Sequence, residues 1–110
     1  VATLKSDFNL CKVVLIPWDK EEDYLGHSDS MLRILNNDTV LVNYYFKYYP
    51  KSFRDRFYGA IQDSGFNIIK LDLPSKLTCK DDWCYLNFVQ MEDLMIIPQI
   101  GVKADSYMYD

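Results

Sequence analysis

The sequence is poor in glycine, proline and cysteine and has no long apolar run, and these absences exclude several classes of protein. Four glycines and four prolines in 110 residues exclude a collagen-like or low-complexity chain. No apolar run approaches the roughly 18–20 residues that span a bilayer, and no basic and apolar leader opens the chain. The three cysteines cannot all pair within the chain because their number is odd, so reduced thiols and a cytoplasmic location are predicted.

The excess of one sign of charge over the other is also small. Sixteen acidic and twelve basic residues leave a formal charge of −4, which disfavours nucleic acid or an anionic membrane as a partner and suits a cationic ligand better. The composition, 49% hydrophobic and 25% charged, is that of a globular chain. Its length predicts one domain or part of one, since single cores usually need about 100–200 residues.

The hydrophobic pattern predicts strands around one main helix, in an α/β fold with mixed, mostly antiparallel pairing. Phe53, Phe57 and Ile61 recur at helical spacing, and Gly65 follows as the left-handed residue that closes such helices. The predicted elements are a buried strand at 12–17, a hairpin of 31–35 and 39–46 around Asn36-Asn37-Asp38, the helix at 52–64, a strand at 66–73, and a second hairpin of 85–89 and 94–98 around Met91-Glu92-Asp93.

The acidic segment between the first strand and the first hairpin holds the best candidates for chemistry. It contains Asp23, His27 and Asp29, and loops at strand ends are where α/β scaffolds place their sites. In extended chain, residues two apart face the same side, so His27 and Asp29 would project together. An imidazole beside a carboxylate can exchange protons with a substrate near neutral pH. The alternative is a solvated acidic loop in which His27 is incidental.

Other chemistries find less support. A zinc site would have to use His27, Asp29 and Asp23 as its ligands, and the lack of a second histidine disfavours it. The chain has neither the G-x-S-x-G of a serine hydrolase nor a glycine-rich phosphate loop. Cys11 and Cys84 are interpreted as small core hydrophobes rather than nucleophiles.

Two blocks of the sequence resemble the central segment of agmatine deiminases and the related bacterial-type peptidylarginine deiminases. The first is VVLIPWDKEEDYLGHSDSMLRILNNDTVLVN, which contains Gly26-His27-Ser28-Asp29. The second joins CYLNF, residues 84–88, to LMIIPQIG, residues 94–101. It is similar to the family's S-Y-x-N-F strand and the V-x-x-P-x-F-G strand that follows. Together the blocks cover roughly residues 12 to 105.

The resemblance implies a partial pentein fold, in which about two ββαβ-type units belong to a five-bladed α/β propeller. In that family a cysteine attacks the guanidinium carbon, ammonia leaves, and water hydrolyses the thiouronium. By resemblance, His27 would protonate the ammonia and then activate the water. Asp29 would hold the guanidinium by two charge-assisted hydrogen bonds, and Asp23 would be a further substrate-facing acid. No cofactor and no metal are implied, and the partner would be a small guanidinium substrate.

The chain also departs from the family pattern. The family's nucleophile lies in a G-G-x-x-H-C-type motif near its C-terminus, which the 110 residues lack, and Cys84 stands where a small Ser or Thr is usual. The sequence therefore predicts an internal fragment, residues 1–110, of a guanidine deiminase that is inactive by itself, with self-association through open strand edges. The alternative is a non-catalytic pentein-like binding module or a degenerate remnant. A relative of the ribosome-subunit-binding type has no reason to keep the Gly-His-x-Asp loop.

Overall fold

The structure is a computed structural model, and it describes residues 2–21, 26–73, 82–101 and 103–108. The described elements are the helices α1 (Ala2–Asp7), α2 (Ser28–Met31) and α3 (Lys51–Gln62), the strands β1 (Leu32–Ile34), β2 (Thr39–Val42), β3 (Asn67–Lys70), β4 (Val89–Gln90) and β5 (Met95–Ile96), and the 3₁₀ helices Tyr44–Tyr48, Asp82–Leu86 and Lys103–Met108.

A three-stranded mixed sheet in the order β1-β2-β3 forms the centre. β1 pairs antiparallel with β2, and β2 pairs parallel with β3. Helix α3 makes the connection between the two parallel strands, as a crossover between parallel neighbours requires. The predicted first hairpin, main helix and following strand are therefore confirmed, and so is the α/β class with mixed strands.

Helix α3 packs its apolar stripe onto this sheet. Phe53, Phe57 and Ile61 are buried and share one core cluster with Val40 and Val42 of β2, as the helical spacing predicts. Burial of each of the three helix side chains contributes on the order of 1.5–3 kcal/mol. The helix ends as expected, because Gly65 takes a φ of +90° that other residues rarely adopt.

Strand β2 is shorter than the apolar pattern indicates. It ends at Val42, and the chain continues as the 3₁₀ helix Tyr44–Tyr48. The Asn43 side chain caps that helix by accepting a hydrogen bond from the Tyr44 N–H at 2.8 Å. A local cap of this kind competes with continued strand pairing, so the predicted strand over 39–46 loses its second half.

Lys47 ties this 3₁₀ helix to the segment after β3. Its ammonium donates to Asp72 Oδ1 at 2.8 Å and to the Leu73 carbonyl at 2.6 Å. The hydrogen bond to Asp72 raises the pKa of Lys47 above 10.5, against the opposing effect of burial, and the charge of Asp72 adds to the rise.

We expect this contact to make stability depend on alkaline pH. Because the folded pKa of Lys47 lies above its unfolded value, the contribution is fully present below about pH 10.5 and disappears as the pH rises through the folded pKa. Urea titrations at about pH 9 and about pH 12 should show a smaller loss of stability in Lys47→Met than in the parent. Exposed pairs contribute below about 1 kcal/mol, and these side chains are 36% and 84% exposed. Lys103→Met, at an exposed lysine, should behave like the parent, and identical losses in all three proteins would contradict the prediction.

The second predicted hairpin is confirmed in its position but is smaller. β4 and β5 pair antiparallel around residues 91–94, and Gln90 Nε2 donates to the Leu35 carbonyl at 3.0 Å, which connects this hairpin to the chain after β1. All four strand residues are exposed. Self-association through such apolar edges stays a prediction, which sedimentation velocity would test.

The predicted strand over Tyr85–Val89 is wrong in most of its length. Residues Asp82–Leu86 form a 3₁₀ helix, and Cys84, Tyr85 and Leu86 are all buried. A continuous apolar run is equally compatible with a strand or with a helical turn enclosed by the core. In this protein the run forms a helical turn that is buried in the core.

The predicted buried strand over 12–17 is also wrong. These residues belong to no element of either sheet, and Val14 and Leu15 are exposed. A strand needs a neighbour for its backbone hydrogen bonds, and within the described residues none pairs with this segment. Cys11 is exposed as well, so its interpretation as a core hydrophobe is wrong.

No helix in the described parts of the chain combines the length and the apolar character needed to cross a membrane.

Candidate functional site

His27 and Asp29 lie at the start of the short helix α2. His27 is the residue that precedes the helix, and Asp29 is in its first turn. Both are exposed. The chain is helical from Ser28 onward, so the assumption of extended chain between the two is wrong. Asp23, the third predicted site residue, lies outside the described residues.

Gly26, the residue before His27, lies against the indole ring of Trp18. Gly26 has a φ of +67°, and a Cβ at this position would lie 3.2 Å from Cε2 of the Trp18 indole. Glycine is therefore required here for its backbone conformation and for the close approach of the ring. The contact places an aromatic ring beside the residue that precedes His27.

We expect Gly26→Ala to lower the free energy of unfolding by about 1–2 kcal/mol, the cost of a left-handed L-residue, and to change Trp fluorescence because the indole must shift. Gly59→Ala is the matched control. Gly59 lies within α3 and a Cβ there has nothing within 4 Å, so this change should stabilise the protein by about 0.5–1 kcal/mol. The measurement is urea denaturation followed by fluorescence. Equal effects of the two substitutions would show that the Gly26 backbone is not constrained.

Two polar side chains that follow strand β2 in the sequence, Asn43 and Tyr45, donate hydrogen bonds to helix α2. The Ser30 carbonyl accepts hydrogen bonds from Asn43 Nδ2 at 2.9 Å and from the Tyr45 hydroxyl at 3.0 Å. The Ser30 hydroxyl donates to the His27 carbonyl at 2.8 Å. Sequence reasoning did not identify these three residues. The available signal was Asn43, a buried polar residue directly after the apolar strand β2.

The two sequence blocks that resemble the deiminase family meet in the structure. Helix α2 of the first block lies against the 3₁₀ helix Asp82–Leu86 of the second. The Arg33 guanidinium lies 5.0 Å from the centre of the Phe88 ring, a cation–π contact between the blocks. Blocks that are distant in sequence thus build one region.

Tyr85 and Asp105 anchor the second block. The Tyr85 hydroxyl donates to Asp105 Oδ1 at 2.7 Å, and the carboxylate also accepts from the backbone N–H groups of Ile100 at 3.3 Å and Gly101 at 2.8 Å. Both side chains are buried. The carboxylate therefore provides the acceptors that water would otherwise provide for the backbone N–H groups of residues 100 and 101.

The cysteines and acids of the described residues offer little further chemistry. Cys84 is buried and Cys11 is exposed, whereas Cys79 lies outside the described residues. Reactive cysteines are at least partly exposed, whereas buried ones are inert, and this argues against Cys84 as a nucleophile. Among the described residues, no three His, Cys, Asp or Glu side chains come together to hold a metal ion.

The candidate site therefore offers an exposed imidazole, that of His27, and an exposed carboxylate, that of Asp29, at the start of the short helix α2. An imidazole can donate or accept a proton, and a carboxylate can accept two parallel N–H groups from a planar cation. Their joint action on a ligand stays a prediction.

Comparison with known proteins shows a similarity of fold. No family model matches the chain, and no curated protein matches it significantly. Among solved structures, the chain is similar to the agmatine deiminase of C. jejuni, a cysteine-to-serine variant with substrate bound, with a TM-score of 0.66 and 20% identity over 97% of this chain. The chain spans about a third of that structure, 34% of its length. At this identity the similarity shows a shared fold.

Proposed function

We propose that this chain is part of a guanidine deiminase, a hydrolase that releases ammonia from agmatine or from a free or peptide-bound arginine derivative. The similarity of fold to part of an agmatine deiminase over 97% of the chain is the observation that supports the proposal most. The same stretch of chain carries Gly26-His27-Ser28-Asp29, with His27 and Asp29 exposed at the start of α2. One line of support rests on the path of the backbone and the other on residue types.

The proposed reaction begins with attack of a cysteine sulfur on the guanidinium carbon. The carbon–nitrogen bond to the leaving group breaks, and the nitrogen departs as ammonia with a proton from His27. His27 then takes a proton from water, whose oxygen adds to the same carbon while the carbon–sulfur bond breaks. The net change is guanidinium plus water to a urea group plus ammonium. Asp29 would hold the guanidinium through charge-assisted hydrogen bonds, with Asp23 as a further substrate-facing acid.

We also propose that the fold belongs to a pentein propeller. The order β1, β2, α3, β3 over residues 32–70 is one ββαβ unit with a parallel closing strand, which supports the assignment. The propeller would place the start of α2 toward a central site. The nucleophile would come from a part of the protein beyond these 110 residues, because no G-G-x-x-H-C motif occurs in them.

The test is binding, because the motif that carries the family's nucleophile does not occur in these 110 residues. We would titrate the isotope-labelled chain with agmatine and follow its amide resonances, and use 1,4-diaminobutane as the control ligand because it keeps the amine and lacks the guanidinium. Agmatine should shift the resonances of residues 26–31 and the diamine should not. Asp29→Asn should weaken agmatine binding by about fivefold, the size typical of an exposed charge pair. Asp93→Asn makes the same charge change in an exposed turn and should not alter binding.

The opposite results would favour a binding module or a remnant. If agmatine and the diamine shift the same resonances equally, or if Asp29→Asn binds as the parent does, the guanidinium assignment fails. Should the gene continue into a G-G-x-x-H-C motif, the longer protein should release ammonia from agmatine, and His27→Ala should abolish that release.

A further inference from the structure

Asn43 is a buried polar side chain at the junction of β2 and the following 3₁₀ helix, with only 1% of its surface exposed. Burying a side-chain amide costs free energy unless its groups are hydrogen-bonded. The described bonds use both ends of the amide. Its Oδ1 accepts from the Tyr44 N–H at 2.8 Å, and its Nδ2 donates to the Ser30 carbonyl at 2.9 Å.

The backbone of Asn43 reaches the same helix. Its N–H donates to the Met31 carbonyl at 3.0 Å, one residue beyond the carbonyl that the side chain binds. The residue therefore holds two consecutive carbonyls of α2. Because residues 30 and 43 are 13 positions apart, this clamp links the end of the central strand to the segment that carries His27 and Asp29.

Helix α2 depends on such outside support. It has four residues, and a helix this short is not stable by itself in water, since the first turn is costly to form. The Tyr45 hydroxyl is a second donor to the Ser30 carbonyl, at 3.0 Å. The Ser30 hydroxyl in turn donates to the His27 carbonyl at 2.8 Å. The path from Asn43 to His27 is thus continuous through hydrogen bonds.

We propose that Asn43 is the positioning residue of the guanidinium site, and that it acts by clamping the Ser30 and Met31 carbonyls so that His27 and Asp29 keep their geometry at the start of α2. The proposal rests on the proposed function for its ligand and on the hydrogen bonds alone for its mechanism. Tyr45 supports the same carbonyl and has a smaller effect, because Asn43 binds α2 through both its side chain and its backbone.

Asn43→Asp separates the clamp from the cap. The aspartate keeps an oxygen to accept the Tyr44 N–H, but it places a second oxygen where Nδ2 donated to the Ser30 carbonyl. The side-chain half of the clamp is therefore lost, while the backbone N–H still donates to the Met31 carbonyl. The buried carboxylate also costs stability, which the unfolding midpoint measures. Tyr45→Phe is the second variant, which removes one hydroxyl and leaves the ring. Asn37→Asp is the matched control, because it adds the same charge at an exposed turn position.

Three readouts on the full chain decide the matter. They are the agmatine Kd from resonance titration, the hydrogen-exchange rate of the Ser30 amide, which donates to the His27 carbonyl at 3.2 Å, and the midpoint of thermal unfolding. We expect Asn43→Asp to raise the Kd of the folded protein about tenfold and the exchange rate about tenfold, the equivalent of one lost hydrogen bond with a repulsive contact in its place. Tyr45→Phe should change both about threefold and the control neither.

A purely structural role would lower the unfolding midpoint without changing the Kd of the folded protein. Folded Asn43→Asp with the parent's Kd and the parent's Ser30 exchange rate would overturn the proposal. If Asn43→Asp does not fold, Tyr45→Phe decides by the same two readouts. If the parent chain binds no agmatine, the proposed function fails, and the Ser30 exchange rate then decides the clamp by itself.

Discussion

Phe57→Ala is expected to lower the free energy of unfolding by about 3–5 kcal/mol, the range for truncating a buried Phe. Phe57 has no exposed surface and packs against other aromatic rings, with its ring centre 4.3 Å from that of Phe46 and 6.1 Å from that of Phe53. The cavity that the substitution would leave cannot close easily, because the neighbouring rings belong to α3 and to the 3₁₀ helix Tyr44–Tyr48. Since domains of this size have a total stability of roughly 5–15 kcal/mol, much of the population should unfold at modest urea concentration.

The matched control for this change is Phe8→Ala. Phe8 follows α1 and is 69% exposed, so its truncation should change stability by less than about 0.5 kcal/mol. Urea denaturation followed by circular dichroism compares the two. Similar midpoints for Phe57→Ala and Phe8→Ala would show that the core is not organised around the aromatic stack.

Asp105→Asn is expected to destabilise the protein by about 2–4 kcal/mol, because a buried hydrogen-bonded charge is replaced by an amide that cannot satisfy every donor. The carboxylate accepts from the Tyr85 hydroxyl and from the Ile100 and Gly101 N–H groups. The asparagine oxygen can serve one side only, and its NH₂ group then faces a donor. The loss should be local to the second block, so hydrogen exchange should rise at residues 100–101 more than in α3.

Two comparisons check that prediction. Asp93→Asn makes the same chemical change at an exposed position and should have no measurable effect. Tyr85→Phe removes one donor and leaves the carboxylate in place, so its cost should be smaller than that of Asp105→Asn. If Asp105→Asn and Asp93→Asn unfold at the same urea concentration, Asp105 does not hold the turn.

The first hairpin and the main helix could be predicted because their signals are local. Phe53, Phe57 and Ile61 identify the buried face of α3 by spacing alone, and Gly65 marks its end. Asn36-Asn37-Asp38 lies between two apolar runs, which indicates a hairpin wherever the rest of the chain goes. The structure confirms both because burial of the predicted faces agrees with the local preference.

The errors fall on apolar runs whose surroundings the sequence does not state. Residues 12–17 and 84–88 have similar continuous hydrophobicity, yet the first run has no strand partner among the described residues and the second is largely an enclosed 3₁₀ helix. A run of this kind shows that a segment is apolar but not which neighbour it meets. Cys11 and Cys84 illustrate the same limit, since one is exposed and the other buried.

For the candidate site, the sequence by itself determined which residue types stand together: a glycine, an imidazole and a carboxylate within Gly26-His27-Ser28-Asp29. It did not determine their conformation, because α2 is too short to be specified by propensity. The tertiary structure decided that, through Asn43 and Tyr45, which reach Ser30 from 13 and 15 positions away. A hydrogen bond between residues so far apart depends on where the folded chain brings them, and no local pattern of residues encodes that meeting.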